Sequence, residues 1–313
     1  MRILLFAVPF LIMDRKKFIL SSLTLIAGTK SVLAGRENFT TAPAVRFGIV
    51  TDLHYADREP NGSRYYKQSL DKLSECVELM NEQSVDFLIE LGDFKDQNIQ
   101  PDENETLRYL ETIENEFRQF KGPVYHVLGN HDMDSISKNQ FLERIYNSGF
   151  SKAQNYYSFN SGIFHFVVLD ANYTKDGQSY DKGNFDWKDC HIPEDQLLWL
   201  REDLKRNPVP TVVFVHQQLD RSAFEAAHAI YCPDNSDKVN AILEQSGNVL
   251  IVFQGHYHEG SFNVINNINY YTLKAVIEGD GTVNNSYAIV EIDKHKNIAI
   301  KGYRKAVTKK LKG

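Results

Sequence analysis

The stretch that decides the fold is Val124-Tyr125-His126-Val127-Leu128-Gly129-Asn130-His131-Asp132, a largely apolar run that ends in small and polar residues. A short run of this kind between turn signals is typical of a buried strand. Its last three side chains are an amide, an imidazole and a carboxylate, which can ligate a cation, move a proton or orient a neighbouring imidazole. Alone, such a segment is most often an ordinary polar turn. Its meaning therefore depends on whether other strands end in the same way.

Four further apolar runs do end in this way. They are followed by Asp52-Leu53-His54, Gly92-Asp93, His216 and Gly255-His256-Tyr257-His258. Between the first three runs, apolar residues recur at three- and four-residue steps, which predicts strand–helix–strand–helix–strand and hence parallel strands. The carboxyl ends of parallel strands meet at one edge of a sheet, where binding sites form. We therefore expect these polar segments to converge.

The second half of the chain has a different pattern. Residues 156–169 predict a hairpin, residues 196–204 a short helix, and residues 212–215 and 249–253 two short strands. After residue 260 the pattern is that of a largely antiparallel β set. The prediction is an α/β fold with two mixed β-sheets and helices outside, forming a single domain over residues 45–305. The basic residues 306–313 are expected to be a solvated, frayed tail.

Composition limits the choice of partners. The chain has 313 residues, 42% of them hydrophobic, so it can bury a substantial core. Its net charge is −6 and it has no long basic run before the tail, which argues against nucleic acid as the partner. The three cysteines fit no CxxC pattern, which argues against a thiolate metal site. For Cys190 and Cys232, a disulfide and two free thiols both stay open.

Residues 1–36 have the pattern of an export signal. Residues 2–12 are almost wholly apolar, Arg15-Lys16-Lys17 interrupts them, and a second apolar stretch follows. A basic region, an apolar region and small residues near a cleavage point are features of secretory signals. We predict export to the periplasm or the cell exterior, with no stable membrane span once the signal is removed. A cytoplasmic location would follow if the segment is a misassigned start, and Met1 and Met13 both stay open as the first residue.

The strand ends together carry carboxylate, amide and imidazole groups whose close approach would be electrostatically costly without cations. Mixed ligands of this kind suit divalent first-row metals, and their number is enough for two ions. Two metals roughly 4 Å apart are the usual arrangement for displacement at phosphorus. The expected partner is therefore a small phosphorylated substrate.

These five motifs, in this order and each after a β run, resemble the calcineurin-like metallophosphoesterase superfamily from about Phe47 to Val290. The resemblance implies a four-layer αββα sandwich, in agreement with the two-sheet prediction. It implies a bridging Asp93, and two sets of metal ligands, namely Asp52, His54 and His258 for the first ion and Asn130, His216 and His256 for the second. His131 would act near the leaving oxygen as a general acid or phosphate contact. Asp132 would orient His131 and tune its pKa.

Within this superfamily, residues 47–57 and the segment Arg64-Tyr65-Tyr66 are similar to the manganese-dependent ADP-ribose/CDP-alcohol diphosphatases. That subgroup typically has Gln where His54 stands, and imidazole in place of an amide should tighten metal binding. Purple acid phosphatases have a tyrosine ligand three residues after the second-motif Asp, whereas this chain has Asp96 there, which argues against an Fe(III)–tyrosinate centre. The resemblance implies two divalent ions, Mn²⁺ in the first place, with Fe²⁺, Zn²⁺ or Mg²⁺ as alternatives.

Several residues are candidates for contact with the substrate. Tyr55, Arg64 and Tyr65 could line the pocket, where an arginine suits bidentate phosphate binding. Phe185 and Trp187 lie in a long polar and aromatic segment, and could stack on a base or sugar or simply anchor the loop.

We predict a dinuclear-metal-dependent phosphoric ester hydrolase. It would cleave a phosphodiester or nucleotide diphosphate bond of the ADP-ribose/CDP-alcohol type by in-line attack of a metal-bound hydroxide. One alternative is a phosphomonoesterase, or a phosphodiesterase for cyclic nucleotides or lipids, with the same fold. Another is a non-catalytic metal-binding scaffold, which degenerate metal motifs would favour; here all the motifs are intact.

Overall fold

The computed structural model describes residues 42–313. Its helices are α1 (Ser69–Gln83), α2 (Glu103–Phe117), α3 (Lys138–Leu142), α4 (Glu194–Arg206) and α5 (Ser236–Ser246). Its strands are β1 (Pro43–Val50), β2 (Phe87–Glu90), β3 (Val124–His126), β4 (Tyr157–Ser161), β5 (Phe164–Val168), β6 (Thr211–Phe214), β7 (Val249–Gln254), β8 (Ser261–Ile265), β9 (Ile268–Thr272), β10 (Ser286–Asp293), β11 (Ile298–Arg304) and β12 (Lys309–Leu311). The export signal predicted for residues 1–36 lies outside the described residues and stays a prediction.

The first sheet has the strand order β12-β11-β10-β1-β2-β3. Strands β1, β2 and β3 run parallel, and α1 and α2 are the connections between them. The strand–helix–strand–helix–strand prediction is therefore confirmed. On the other side of β1, strands β10, β11 and β12 add in antiparallel orientation, which makes the sheet mixed.

The second sheet has the strand order β4-β5-β6-β7-β9-β8 and is also mixed. The predicted hairpin is present as β4 and β5, and β5, β6, β7 and β9 run parallel. The β set expected after residue 260 divides between the sheets, because β8 and β9 join this sheet whereas β10 and β11 join the first. Helix α5 was not predicted, although Val239, Ile242 and Leu243 on its buried face have helical spacing.

The two sheets pack face to face with helices on their outer faces. Phe47 of β1 stacks on Phe87 of β2 with ring centroids 4.8 Å apart, and meets the rings of Phe166, Phe214 and Phe253 of the other sheet edge-on at 5.6–5.9 Å. Separate apolar clusters pack α1 and α2 against the first sheet and α4 and α5 against the second. The predicted αββα sandwich is confirmed.

The end of the chain differs from the prediction of a frayed tail. Residues Lys309–Leu311 form β12, which pairs with Ile298–Ile300 of β11. Leu311 packs against the apolar core between the sheets, and the Lys309 ammonium lies 4.5 Å from the centre of the Phe262 ring. One apolar side chain and a row of backbone hydrogen bonds are enough to order this segment. Its lysines suit an edge strand, because charge there opposes pairing with other chains.

Two further features concern the described residues as a whole. Cys76, Cys190 and Cys232 are buried free thiols in this structure. Within residues 42–313, no helix is long and apolar enough to cross a membrane.

Candidate functional site

The strand ends identified in the sequence converge at one edge of the sandwich. Asp52 follows β1, Asp93 follows β2, Asn130 follows β3, His216 follows β6 and His256 follows β7. Backbone hydrogen bonds link the first two ends, since Asp52 N donates to Gly92 O at 3.0 Å and His54 N donates to Asp93 O at 2.8 Å. A cavity of about 580 Å³ opens over these residues. That volume is within the range of small-molecule sites.

The backbone is strained at this edge. Asp52, His54, Asp93 and His256 all have positive φ angles, of 52°, 46°, 54° and 66°. A residue other than glycine pays about 1–3 kcal/mol for such a conformation, so it persists only where the surroundings hold it. Four such residues lie at the ends of three strands. The strained backbone lowers the local stability, but it holds these side chains in their positions.

Two glycines allow the strand ends to touch. A Cβ atom on Gly129 would lie 2.0 Å from Asp93 N, and one on Gly255 would lie 2.2 Å from Thr51 Oγ1. The φ angle of Gly129 is −97°, which any residue can adopt. Gly129 is therefore required for close approach of the backbone to Asp93 and not for an unusual turn.

The first group of side chains that could hold a cation is Asp52, His54 and His258. Asp52 Oδ1 lies 3.8 Å from His54 Nε2 and 3.5 Å from His258 Nε2. The Asp52 carboxylate also accepts from Thr51 Oγ1 at 2.8 Å and from His256 N at 3.2 Å. Glu278 holds the far side of His258, with Oε1 2.7 Å from Nδ1. This contact leaves Nε2 of His258 for a ligand.

The second group is Asp93, His216 and His256. Asp93 Oδ2 lies 3.1 Å from His216 Nε2 and 3.4 Å from His54 Nε2, so this carboxylate stands between the two groups. Its other oxygen, Oδ1, accepts from His131 N at 2.7 Å. His216 Nδ1 donates to Leu91 O at 2.8 Å, and this bond fixes Nε2 as the nitrogen that faces the carboxylates.

Several buried donor and acceptor atoms at this edge have no hydrogen bond. They are His54 Nε2, Asn130 Oδ1 and Nδ2, His216 Nε2 and His256 Nε2. A buried polar atom without a partner costs about 1–3 kcal/mol. Imidazole nitrogen, amide oxygen and carboxylate oxygen are ligands that divalent first-row cations accept together. The residues present therefore fit a pair of such ions, with Asp93 shared.

The electrostatics of the site favour charged carboxylates. Burial alone would raise the pKa of Asp52, but the nearby imidazoles of His258 and His54 outweigh it and hold that pKa well below its usual value. The same holds for Asp93, where the positive charge of His216 leads the opposing effects. Both carboxylates are thus anionic and ready to bind cations.

The pKa values of the histidines in the site shift in opposite directions. Burial lowers the pKa of His216, but the Asp93 carboxylate outweighs this effect and raises it to about 9. For His258, hydrogen bonds with Asp52 and Glu278 overcome burial and raise the pKa to about 9. Burial and the charge of His216 lower the pKa of His256 to about 3. Without cations, two of these imidazoles therefore carry protons at neutral pH.

The predicted role of Asp132 is wrong. Its carboxylate accepts from the backbone N–H groups of Gly129, Phe94 and Asp93 at 2.8, 2.9 and 3.2 Å, so it ties the loop after β3 to the loop after β2. The carboxylate that faces His131 is Asp96, whose Oδ2 lies 3.6 Å from His131 Nδ1. Asp96 Oδ2 also lies 3.3 Å from His54 Nδ1.

Of the three residues predicted to contact substrate, Arg64 lines the cavity. The Tyr55 ring packs against Tyr109, at 6.1 Å, in the core beneath the helices, and belongs to that core. Tyr65 is not among the residues that line the cavity in the described part of the chain, and its N–H donates to Ile277 O. The position of Tyr55 in the core argues against its predicted contact, and the substrate contact predicted for Tyr65 stays a prediction.

The sequence analysis missed several residues of the site. Asp96 was noted only as a replacement for tyrosine, although its position three residues after Asp93 could have suggested a role. Glu278 was given no role in the site, since it reaches His258 from a distant loop. Tyr231 and Tyr257 line the cavity beside Trp187, and an aromatic residue in a loop has no spacing that predicts such a position.

Comparison with known proteins identifies the family. The model of the calcineurin-like phosphoesterases matches residues 45–260, more than half of the chain. The chain belongs to the calcineurin-like phosphoesterase family. It is a metal-dependent phosphohydrolase, as the sequence analysis predicted.

Within the family, the chain is similar to proteins named manganese-dependent ADP-ribose/CDP-alcohol diphosphatase. The rice protein is 26% identical over 75% of this chain and 84% of its own length, and the bovine protein 28% identical over 74% and 73%. A solved dimetal phosphatase from Danio rerio superposes with a TM-score of 0.73 at 21% identity, covering 86% of this chain and 99% of that one. The predicted resemblance to the superfamily and to this subgroup is confirmed.

Replacing Gly129 with Ala is expected to impair metal binding, because the new methyl group would push the Asp93 backbone away from the site. Titration calorimetry with Mn²⁺ should show weaker binding or fewer than two sites. Gly149→Ala is the control, since no atom lies within 4 Å of its added Cβ and its φ of 85° imposes only backbone strain. Equal metal binding by the two variants would contradict the close-approach explanation.

Metal affinity is expected to rise with pH between about 6 and 9, because the cations must displace protons from His216 and His258. Both pKa values are raised above their unfolded value of 6.5. Protonation therefore stabilises the metal-free protein fully below pH 6.5, and this stability is lost as the pH rises through about 9. Calorimetry in two buffers of different ionisation enthalpy would count the protons released. An affinity independent of pH would contradict this account.

Proposed function

We propose that this chain hydrolyses phosphodiester or diphosphate bonds in small nucleotide-derived substrates, with two divalent cations of which Mn²⁺ is the natural one. The relatives' names support the substrate class and the metal. The observation that carries the proposal is the position of Asp93, whose Oδ2 lies between His54 Nε2 and His216 Nε2. A shared carboxylate between two ligand groups is the arrangement that a two-metal phosphoesterase requires.

We assign the ligands as the sequence analysis predicted. Asp52, His54 and His258 would hold one ion, and Asn130, His216 and His256 would hold the other, with Asp93 common to both. The unpartnered amide of Asn130 and the unpartnered Nε2 atoms of His54, His216 and His256 support this assignment. When bound, the two ions would neutralise the phosphoryl oxygens and activate the attacking water.

We propose that His131 assists the leaving group. Its side chain is 23% exposed and lines the cavity, while its buried Nδ1 lies beside Asp96. Nε2 is therefore the nitrogen available to substrate. Burial would lower the pKa of His131, but the carboxylates of Asp96 and Asp93 outweigh it and raise that pKa. A protonated imidazole at this point can donate to the leaving oxygen.

His54 distinguishes this chain from the typical glutamine of the subgroup. Asp96 lies 3.3 Å from His54 Nδ1, and such a carboxylate–histidine pair fixes the tautomer and raises the basicity of a metal-binding nitrogen. The amide of a glutamine could not be strengthened in this way. We infer that the first ion is held more tightly here than by an amide ligand.

Asp93→Asn and His256→Ala are each expected to reduce hydrolysis of thymidine 5′-p-nitrophenyl phosphate by about 10²–10³-fold, because each removes charge or a ligand worth several kcal/mol in the transition state. Steady-state kinetics with added Mn²⁺ would measure the loss. Asp176→Asn and His295→Ala, both at exposed positions, are the matched controls.

Chelation provides a second check on the same model. Treatment with EDTA should silence the wild-type enzyme, and Mn²⁺ should restore it. Full activity in either site variant, or indifference to the chelator, would refute two-metal catalysis while circular dichroism confirms that the variants are folded.

The bond that is cleaved can be determined with a substrate panel. ADP-ribose and CDP-choline are expected to be hydrolysed faster than p-nitrophenyl phosphate, cyclic AMP or a glycerophosphodiester, because the proposal requires a nucleotide diphosphate. Each compound would be assayed separately with Mn²⁺, Mg²⁺, Zn²⁺ and Fe²⁺. A preference for the monoester would replace the proposed function with that of a phosphomonoesterase.

A further inference from the structure

One side of the cavity is formed by aromatic side chains that the proposed chemistry does not use. Trp187, Tyr231 and Tyr257, here called the aromatic wall, are only partly buried, and all three line the cavity. The ring centroids of Trp187 and Tyr231 lie 5.6 Å apart, and those of Tyr231 and Tyr257 lie 5.1 Å apart. A loop anchor would normally be covered by its own protein, whereas these rings keep part of their surface exposed along the cavity.

The aromatic wall lies directly beside one of the two ligand groups. The ring of His256 is 6.1 Å from that of Trp187 and 5.7 Å from that of Tyr231. The distance from a phosphoryl group bound at His216 and His256 to the aromatic wall would therefore be no more than the length of a single sugar. Phe185 extends the apolar surface, with its ring 5.0 Å from that of His131.

The loops that carry the wall are braced against each other. Asp234 N donates to Cys190 O at 3.0 Å, and Asn235 Nδ2 donates to Ile192 O at 2.7 Å. Gln218 N donates to Tyr231 O at 3.0 Å. Trp187 lies shortly before Cys190 in the chain, and Tyr231 lies shortly before Asp234, so both rings are close to these hydrogen bonds. A surface fixed before the ligand arrives loses less entropy when it binds.

The other ligand group has a charged neighbour instead. Arg64 lines the cavity and acts on His258 through its charge. Its Nε is 3.8 Å from Glu278 Oε1, and its side chain is 36% exposed. A guanidinium held loosely in this way retains donors for a phosphate oxygen. The cavity thus has an aromatic side beside His256 and, beside His258, a side where the Arg64 guanidinium lies near the carboxylates of Glu259 and Glu278.

We propose that the aromatic wall is the subsite for the nucleobase, and that the substrate lies with its heteroaromatic ring on Trp187 and Tyr231. Its second phosphate would then point towards Arg64. This inference rests on the proposed function, because it assumes a phosphoryl group between the two ligand groups. Stacking uses the π face that every base has, so the wall accepts purines and pyrimidines alike.

The two tryptophans of the chain make a direct binding test available. Trp199 packs against Tyr156, at 4.9 Å, on α4, so Trp199→Phe leaves Trp187 as the sole tryptophan. In this variant, loaded with Mg²⁺, AMP is expected to quench the fluorescence of Trp187. Ribose 5-phosphate, which lacks the base, should need at least a tenfold higher concentration to cause any change. Equal responses to the two compounds would overturn the subsite.

A kinetic test uses two esters with the same leaving group. Thymidine 5′-p-nitrophenyl phosphate and methyl p-nitrophenyl phosphate differ in whether a base is present. Trp187→Leu is expected to lower the ratio of kcat/KM for the first ester to that for the second by about tenfold, the size of one base–aromatic contact. Trp187→Phe should restore most of that ratio, and Trp199→Leu should leave it unchanged.

The outcomes separate the subsite from the proposed function. An unchanged ratio in Trp187→Leu, with both esters hydrolysed, would overturn the subsite and leave the hydrolase intact. Quenching of Trp187 by AMP alone, with neither ester hydrolysed by the wild-type protein, would refute the proposed function and retain a nucleotide-binding site.

Discussion

The site depends on the burial of two carboxylates, Asp52 and Asp93, at the carboxyl edge of the sheets. Asp52 is fully buried and Asp93 is 1% exposed, and a buried charge without a partner is very costly. The chain offsets that cost with the imidazoles of His54, His216 and His258, whose Nε2 atoms lie within 3.5 Å of one or the other carboxylate. The imidazoles that surround the carboxylates are also the proposed metal ligands. The stability of this edge and its affinity for cations therefore have the same physical origin.

Holding these groups together requires the backbone to depart from its preferred conformations. Positive φ angles at Asp52, His54, Asp93 and His256 turn the chain sharply at the strand ends. Asp132 compensates by accepting several backbone N–H groups from two neighbouring loops. The sandwich behind the site, with Phe47 packed against rings of both sheets, supplies the rigid support for this strain. Local strain at functional positions is tolerated where packing elsewhere is sufficient.

In the proposed function, metal binding and substrate recognition would use different parts of the fold. All the proposed ligands follow directly on strands, where neighbouring strands restrict their positions. The aromatic wall comes mainly from two long loops, which can change without disturbing the ligands. Such a division would let the loops select the organic group while the chemistry stays at the strand ends.

The sequence alone determined the strand ends, the order of the candidate ligands and an architecture of two sheets with helices outside, because each depends on local features. Apolar runs followed by Asp, Asn or His can be identified in the sequence without knowledge of distant contacts. Alternating strands and helices imply that the strands pair in parallel. Only the tertiary structure decided that Asp96, and not Asp132, faces His131, and that Tyr55 lies in the core. It also decided that β12 is ordered and that the β8–β9 and β10–β11 hairpins belong to different sheets. These features depend on contacts between residues far apart in the chain. The energies of such contacts cannot be predicted from the spacing of residues along the sequence.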